Sequence, residues 1–298
     1  MPKVSFLIPA HNAEKTLHET LNSLTQQTFR DFDILIVNDA STDNTVQVAH
    51  RYSPQLSIRV LTLEQNAGVA EALTRGLAHI DSEYIARLDA DDIAHPKRLE
   101  MQVSYLDNKT EIDVCGSQIG FFSGDFTPGT VLRVLSHPTN NFAIKTGLIQ
   151  NCAVVHGSAL FRTGFFADLG GYDRRYDYAE DYDLWCRGAL LGKNYANIPE
   201  ILTYVRQHAN QVSQQKAQLQ HERDLAIKKK YISAILGGES PGLLPEFFSL
   251  RISFTSREIA LNVLTQSMPL IMQLGQRIYD TKKYAEIVAG CIQRHLSQ

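Results

Sequence analysis

Along the first hundred residues, short apolar runs alternate with segments whose apolar positions recur every three or four residues, and polar turn residues mark the junctions. Val4 to Ile8 is the first such run, and Thr16 to Leu24 then sets Leu17, Leu21 and Leu24 on one helical face. Phe32 to Val37 is the next buried-strand candidate, followed by a turn and helix start at Asp39 to Asn44 and a short helix over Thr45 to Ala49. Ser57 to Leu63, Val69 to Ile80 and Glu83 to Leu88 continue the series as strand, helix and strand. Near-continuous apolar strands joined by helices predict an α/β fold with a mostly parallel sheet covered on both faces. Such sheets bind ligands at the carboxyl ends of their strands, so chemistry is to be sought after Ile8, Val37 and Leu88.

Beyond Pro96 the spacing of Leu99, Val103 and Leu106 predicts a helix. Val114 to Phe122 and Val154 to Phe161 read as strands with loops and a short helix between them. Residues 180 to 191 read as a helix, and Glu200 to Val205 as a last strand. A helical stretch from Gln211 to about Leu236 ends in the breaker cluster Gly237-Gly238-Glu239-Ser240-Pro241-Gly242. Phe247, Leu250, Ile252 and Phe254, then Ile259, Leu264 and Leu270, suggest further helices.

Charge changes this picture at one point. Residues 1 to 214 hold 18 Lys+Arg against 25 Asp+Glu, a balance of -7, while 215 to 298 hold 11 against 7, or +4. An acidic body argues against nucleic acid as a partner. The basic region is either a set of solvated helix faces or a contact for an anionic surface. Lys228-Lys229-Lys230 beside Ile232, Ile235 and Leu236 is patterned for a peripheral helix at a membrane, and core packing or homo-oligomerisation would use the same apolar face. No apolar run approaches the ~20 residues of a membrane span. The start lacks a leader with a cleavage site, and the four cysteines show no metal or disulfide spacing. A reduced, cytoplasmic protein is expected.

Three acidic groups fall at the ends just named. In Asn38-Asp39-Ala40-Ser41-Thr42-Asp43, either Asp39, Ser41 or Asp43 caps the next helix, or Asp39 accepts an N–H of a nucleobase. In Arg87-Leu88-Asp89-Ala90-Asp91-Asp92, three carboxylates within four residues repel unless a cation or many N–H donors offset them. Mg2+ or Mn2+ bridging substrate phosphates fits, as does a solvated helix cap. In Ala179-Glu180-Asp181-Tyr182-Asp183-Leu184-Trp185, the acids complement a helix dipole, or one is a general base beside aromatic rings on which sugars stack.

Pro9-Ala10-His11-Asn12, Asp39-Ala40-Ser41-Thr42-Asp43, Asn66-Ala67-Gly68, Asp89-Ala90-Asp91-Asp92 and Glu180-Asp181 occur in the order and spacing of family-two glycosyltransferases. Over residues 3 to 214 the chain resembles that family. Ala86 to Ile93, Tyr178 to Tyr182 and His208 to Ser213 are most similar to bacterial enzymes that add N-acetylhexosamine to lipooligosaccharide. The resemblance implies a GT-A domain over 1–214 and leaves 215–298 as a helical extension. It assigns Asp39 to the uracil of a UDP-sugar, with Pro9, Asn12 and Asn66 around the nucleotide. Asp89 and Asp91 become the acids of a DxD motif, Asp91 holding Mn2+ or Mg2+ and Asp89 nearer the ribose. Asp181 becomes the catalytic base, Glu180, Tyr182 and Trp185 its acceptor-binding neighbours, and His156, Arg206 and His208 residues that close over the donor diphosphate or the acceptor.

The processive branch carries a Gln-x-x-Arg-Trp motif and membrane spans, which this chain lacks, so transfer of a single sugar with inversion to a glycan or lipid-linked glycan is implied. A sugar-nucleotide nucleotidyltransferase needs a Gly-rich basic loop where Pro9 to Glu14 stands. A dehydrogenase needs a G-x-G-x-x-G that is absent. A catalytically silent sugar-nucleotide binder is disfavoured by the coexistence of the DxD-like acids and Asp181, and a turnover assay separates it from an enzyme.

Overall fold

The computed structural model describes residues 1–127, 129–207, 216–249 and 257–296. Its strands are β1 (Val4–Ala10), β2 (Phe32–Asn38), β3 (Ile58–Thr62), β4 (Tyr84–Arg87), β5 (Ile93–Ala94), β6 (Val114–Phe122), β7 (Arg133–Leu135), β8 (Leu160–Arg162) and β9 (Tyr195–Arg206). The helices are α1 (Leu17–Thr25), α2 (Thr45–Arg51), α3 (Val69–Leu77), α4 (Arg98–Asn108), α5 (Asn141–Gly147), α6 (Gly164–Leu169) and α7 (Glu180–Leu190), then α8 (Ala217–Ile235), α9 (Leu244–Phe248), α10 (Arg257–Gly275) and α11 (Thr281–Leu296).

One sheet runs β3-β2-β1-β4-β8-β6-β9-β5, with β7 on β6. The first four strands pair in parallel, as their unbroken apolar runs require when helices cover both faces. From β8 onward the sheet is mixed: β8 is antiparallel to β4 and β6, and β9 is parallel to β6 but antiparallel to β5. The parallel register therefore stops where the acid turn after β4 begins.

The run Val154 to Phe161 is not one strand. Residues His156–Ser158 form a 3-10 turn and only three residues reach β8. Two buried side chains one turn apart on α4 replace the missing ladder. The Arg98 guanidinium donates to the carbonyls of Gly157 (2.9 Å), Arg87 (2.6 Å) and Ala159 (3.3 Å), and the Gln102 amide donates to those of Cys115 and Ser158. Backbone carbonyls buried without partners would be costly, so this pair permits an irregular segment to pass through the core.

The C-terminal helices share that core. Ile227, Tyr231, Ile232 and Leu236 of α8 and its end pack with Leu184 and Trp185 of α7 and with Ile144 of α5. Tyr231 Oη donates to the Lys145 carbonyl (2.8 Å), and the Asp280 N–H donates to Thr146 Oγ1 (2.9 Å). This corrects the membrane reading of the Lys228-Lys229-Lys230 segment. Ile232 and Leu236 are buried, Lys228 is buried, and Lys230 bonds to Tyr176 Oη. The apolar face is consumed by packing. No helix among the described residues is long and apolar enough to cross a membrane. Leu250, Ile252, Phe254 and the expected helix start over 211–215 lie outside the described residues.

Candidate active site

β1 and β2 end in register at Ala10 and Asn38, so the loops that follow them emerge side by side. The backbone turns at Asn12 (φ 50°) and Ala40 (φ 52°), both left-handed, a conformation that costs a non-glycine residue about 1–2 kcal/mol and needs support. Asn12 supplies it: its N–H donates to Ser41 Oγ (2.9 Å) and its Oδ1 accepts from the Thr42 N–H (2.9 Å). Asp43, not Asp39, serves the start of α2, its Oδ1 accepting the Thr45 N–H at 3.0 Å from the position before the N-cap Asn44. Buried Asp39 instead accepts the Ala67 N–H (2.7 Å) and the Gly68 N–H (3.0 Å), while Asn66 Nδ2 reaches its carbonyl at 3.5 Å. Gly68 has φ +86°, and a Cβ there would stand 2.7 Å from Asp177 Oδ2, so only glycine fits. Pro9, Asn12, Asp39 and Asn66 are thus gathered at one corner of the sheet.

The acid turn follows β4. Arg87, fully buried, donates to Asp89 Oδ1 at 2.6 Å, and its Nε and Nη1 have no hydrogen-bond partner among the described residues. Asp92 is buried, and its Oδ1 accepts the Arg206 N–H at 3.0 Å. Burial, with Asp89 and Asp91 alongside, pushes the Asp92 carboxyl well above the usual range. A Cβ on Gly157 would lie 3.0 Å from Asp89 Oδ2 and 3.3 Å from Asp92 Oδ2, so the 3-10 turn closes directly on these acids. Arg206 is buried against the acid turn. Its Nε donates to the Asp91 carbonyl (3.0 Å), it pairs with Glu19 at 3.0 Å, and it lies over the Phe122 ring. It clamps the turn from behind, because β9 brings it there buried. His208 lies outside the described residues.

A cavity of about 500 Å³ opens between the acid turn and the start of α7, within the usual range of ligand sites. Asp89, Asp92, His156, Asp181 and Tyr182 are on its wall; Asp91, half-buried, is not. Asp181 Oδ1 accepts the Tyr182 N–H at 2.7 Å, and Cys152 Sγ approaches Oδ2 at 3.6 Å. Burial, with Asp224 beside it, raises the Asp181 carboxyl, opposed by the Tyr182 N–H. Burial and Asp181 raise Glu180, whose Oε2 is unpartnered. Burial, with Arg87 near, holds the His156 imidazole well below its usual value, so it is neutral, with Nε2 2.8 Å from Tyr172 Oη.

Trp185 is corrected. It is fully buried, stacked on Phe161 at 5.5 Å and edge-on to Tyr195 and His156, so no ring face meets the cavity. Residue 185 follows 181 by one helical turn and points into the core that Phe165 and Phe166 complete. Tyr182 borders the cavity but is buried, its Oη donating to the Leu148 carbonyl, so it too offers little stacking surface. Sequence reading missed Arg87, whose signal was a cation inside the apolar run Glu83 to Leu88. It also missed Gln220, Asp224 and Lys228 of α8, which line the same cavity. Their four-residue spacing was visible, but not what it faced. Among the described residues no three His, Cys, Asp or Glu side chains already converge as a metal site.

The sequence profile of Glycosyl transferase family 2 matches residues 5–170, more than half of the chain. The chain belongs to that family. This family-2 transferase is 32% identical over 215 residues to the amylovoran biosynthesis glycosyltransferase AmsE of Erwinia amylovora, covering 71% of this chain and 79% of that one. It is 32% identical over 214 residues to EpsE of Bacillus subtilis, covering 70% and 74%. In fold it resembles S. aureus TarS 1-349 in complex with UDP-GlcNAc, with TM-score 0.66, 18% identity and coverage of 98% and 92%. It also resembles the mannosyltransferase PcManGT of Pyrobaculum calidifontis in complex with GDP-Man and Mn2+, with TM-score 0.58, 17% identity and coverage of 98% and 75%. The expected α/β GT-A architecture with C-terminal helices is met.

Proposed function

We propose that this family-2 transferase is non-processive and inverting, moving one hexose or N-acetylhexosamine from a UDP-sugar to a hydroxyl of a glycan or lipid-linked glycan in cell-surface polysaccharide or lipooligosaccharide synthesis. The observation that carries the reading is the single cavity walled by Asp181 on one side and by Asp89 and Asp92 on the other. The UDP donor is supported by the complex of the TarS fold relative with UDP-GlcNAc, and the polysaccharide setting by the name of AmsE.

The acid turn offers only oxygen donors, and the Arg87 guanidinium pairs with Asp89 while that of Arg98 stands near Asp89 and Asp92. That set fits a hard divalent cation, which Asp91 and Asp89 would hold. When bound, Mg2+ or Mn2+ neutralises charge growing on the leaving group. Asp39, Pro9, Asn12 and Asn66 hold the nucleoside, and His156 and the His208 segment adjoin the donor. Asp181 accepts the proton of the acceptor hydroxyl as its oxygen bonds to the anomeric carbon. The bond from that carbon to the diphosphate breaks on the opposite face, UDP leaves, and configuration inverts. Peripheral attachment at the cytoplasmic membrane rests on α10, where Leu261, Met268 and Met272 lie exposed on one face, and co-sedimentation with anionic vesicles tests it.

The deciding assay is UDP release from a panel of UDP-sugars in Mn2+, Mg2+ or excess chelator, with and without β-galactoside acceptors. Release from one UDP-sugar that requires metal and increases with acceptor is expected. No release from any of them would sink the transferase reading, and an equal rate in chelator would sink the metal.

A further inference from the structure

The helix that follows the catalytic sheet enters the cavity with one row of side chains. Gln220, Asp224 and Lys228 are spaced by four residues, so they stand on one face of α8, and all three line the cavity that holds Asp181. Lys228 is buried, although a lysine is rarely so without a reason in charge or chemistry, and its ammonium lies 5.2 Å from the Tyr182 ring centroid. Gln220 Nε2 donates to the Tyr178 carbonyl at 2.8 Å, which ties the near end of the row to the loop leading into α7. Tyr178 itself has φ 73°, a strained conformation for a tyrosine that this bond helps to hold.

A carboxylate accepts hydroxyl protons, whereas an ammonium and an amide N–H donate to hydroxyl oxygens. An acceptor flanked by donors along one wall suits a polyhydroxylated ring, whose hydroxyls both donate and accept. The same cavity is lined by Phe121 of β6 and by His137, which follows β7. We propose that Gln220, Asp224 and Lys228 of α8 form the acceptor-sugar subsite, orienting one pyranose so that its nucleophilic hydroxyl meets Asp181. The inference rests on the transferase reading above. It gives the C-terminal region, otherwise a packing appendage, a part in choosing the acceptor.

The test is saturation-transfer NMR of the full chain with UDP and Mg2+, using methyl β-galactoside, methyl β-glucoside and methyl N-acetyl-β-glucosaminide as probes. It is paired with transfer kinetics on whichever probe binds. Asp224→Asn and the near-isosteric Lys228→Met should each raise the acceptor KM about tenfold or more, the loss of one hydrogen bond to a charged group. UDP affinity should stay at the parent value by calorimetry, and the ratio of transfer to donor hydrolysis should fall. Circular dichroism and melting identify a variant that merely fails to fold, in which case Gln220→Ala, at the half-buried end of the row, takes its place. Parallel loss of UDP affinity and acceptor binding would overturn the inference. So would an acid limb of the pH–rate profile that shifts while acceptor KM does not, since Asp224 would then act through Asp181. A parent protein that releases UDP but binds none of the probes overturns it as well, whereas one that releases no UDP overturns the transferase reading first.

Discussion

The corner at the ends of β1 and β2 and the cavity at the start of α7 are both built from acidic turns, yet they differ in how their polar groups are satisfied. At the corner, Asp39 takes two backbone N–H groups, and Asn12 bonds in both directions to the loop it faces. Behind the cavity wall, Arg87 keeps two donors and Glu180 one oxygen without hydrogen-bond partners among the described residues, and the carboxyls of Asp92, Glu180 and Asp181 are all raised by burial. A preformed shape suits recognition of a rigid base. Buried polar groups left partly unsatisfied suit chemistry, because their remaining hydrogen bonds are completed only when a substrate brings its own polar atoms.

The largest expected effect breaks the cavity and spares the corner. Asp181→Asn keeps the shape and the bond from the Tyr182 N–H but cannot take a proton, so transfer should fall roughly 10²–10⁴-fold while UDP still binds. Asp91→Ala should instead lose metal-assisted UDP binding together with turnover, which calorimetry with Mn2+ reads directly. An Asp181→Asn protein that transfers at the parent rate would remove Asp181 from the mechanism. The same residue fixes a pH dependence. Its carboxyl is raised, so the active, deprotonated base appears only above the ordinary carboxylate value of roughly 4, and the rate of transfer should climb with pH through the raised value. Stability should run the other way. Carboxyls raised in the folded state contribute stability that is fully present below their unfolded values and is lost as pH rises through the folded ones. Urea midpoints against pH check it.

Next in size is Arg87→Met. The guanidinium stands among Asp89, Glu180 and Tyr172, and removing it leaves Asp89 without its ion pair; because that carboxylate is 42% exposed and screened by water, the loss is about 1–3 kcal/mol. Urea denaturation should show that loss near neutral pH and a smaller one in acid, where the carboxyls protonate. A loss independent of pH would mean that Arg87 matters for packing alone.

These two residues also mark how far the sequence could be read. The parallel half was legible because each buried strand is a contiguous apolar run and each turn a local signal, so the gathering of Asn12 with Asp39 follows from strand order. The cavity was legible only in part. Asp181 and Asp89 belong to recognisable turns, but the irregular path of His156 through the core depends on Arg98 and Gln102, which read as ordinary helix positions. The burial of Trp185 and Lys228 depends on which helix faces which, a long-range matter that no spacing rule decides. The strands β5 and β7, two and three residues long, are too short to leave a periodic trace.

A smaller effect belongs to the corner. Asp39→Ala removes the acceptor of the Ala67 and Gly68 N–H groups and loosens the loop before α3. UDP affinity should fall about 10–100-fold, in line with hydrogen bonds to a charged group worth roughly 1.5–3 kcal/mol. The rate at saturating donor should change far less than in Asp181→Asn. If both constants fall equally, the corner is part of the chemistry and the contrast between the two regions fails.

The smallest effect sharpens the boundary between the cavity and the core beneath it. Trp185 stacks on Phe161, and its indole Nε1 has no hydrogen-bond partner, so Trp185→Phe removes ring area without breaking a polar contact. Exchanging a fully buried indole for a benzyl ring leaves a void that the neighbouring Phe165 and Tyr195 only partly fill. The expected loss is roughly 1–2 kcal/mol of stability, read as a lower urea midpoint with an unchanged slope. Acceptor KM should stay within about twofold of the parent, because the ring has no face in the cavity. A Trp185→Phe protein with full stability but a much weakened acceptor would mean that the indole swings out to meet a sugar, and the floor of the cavity would then belong to the site.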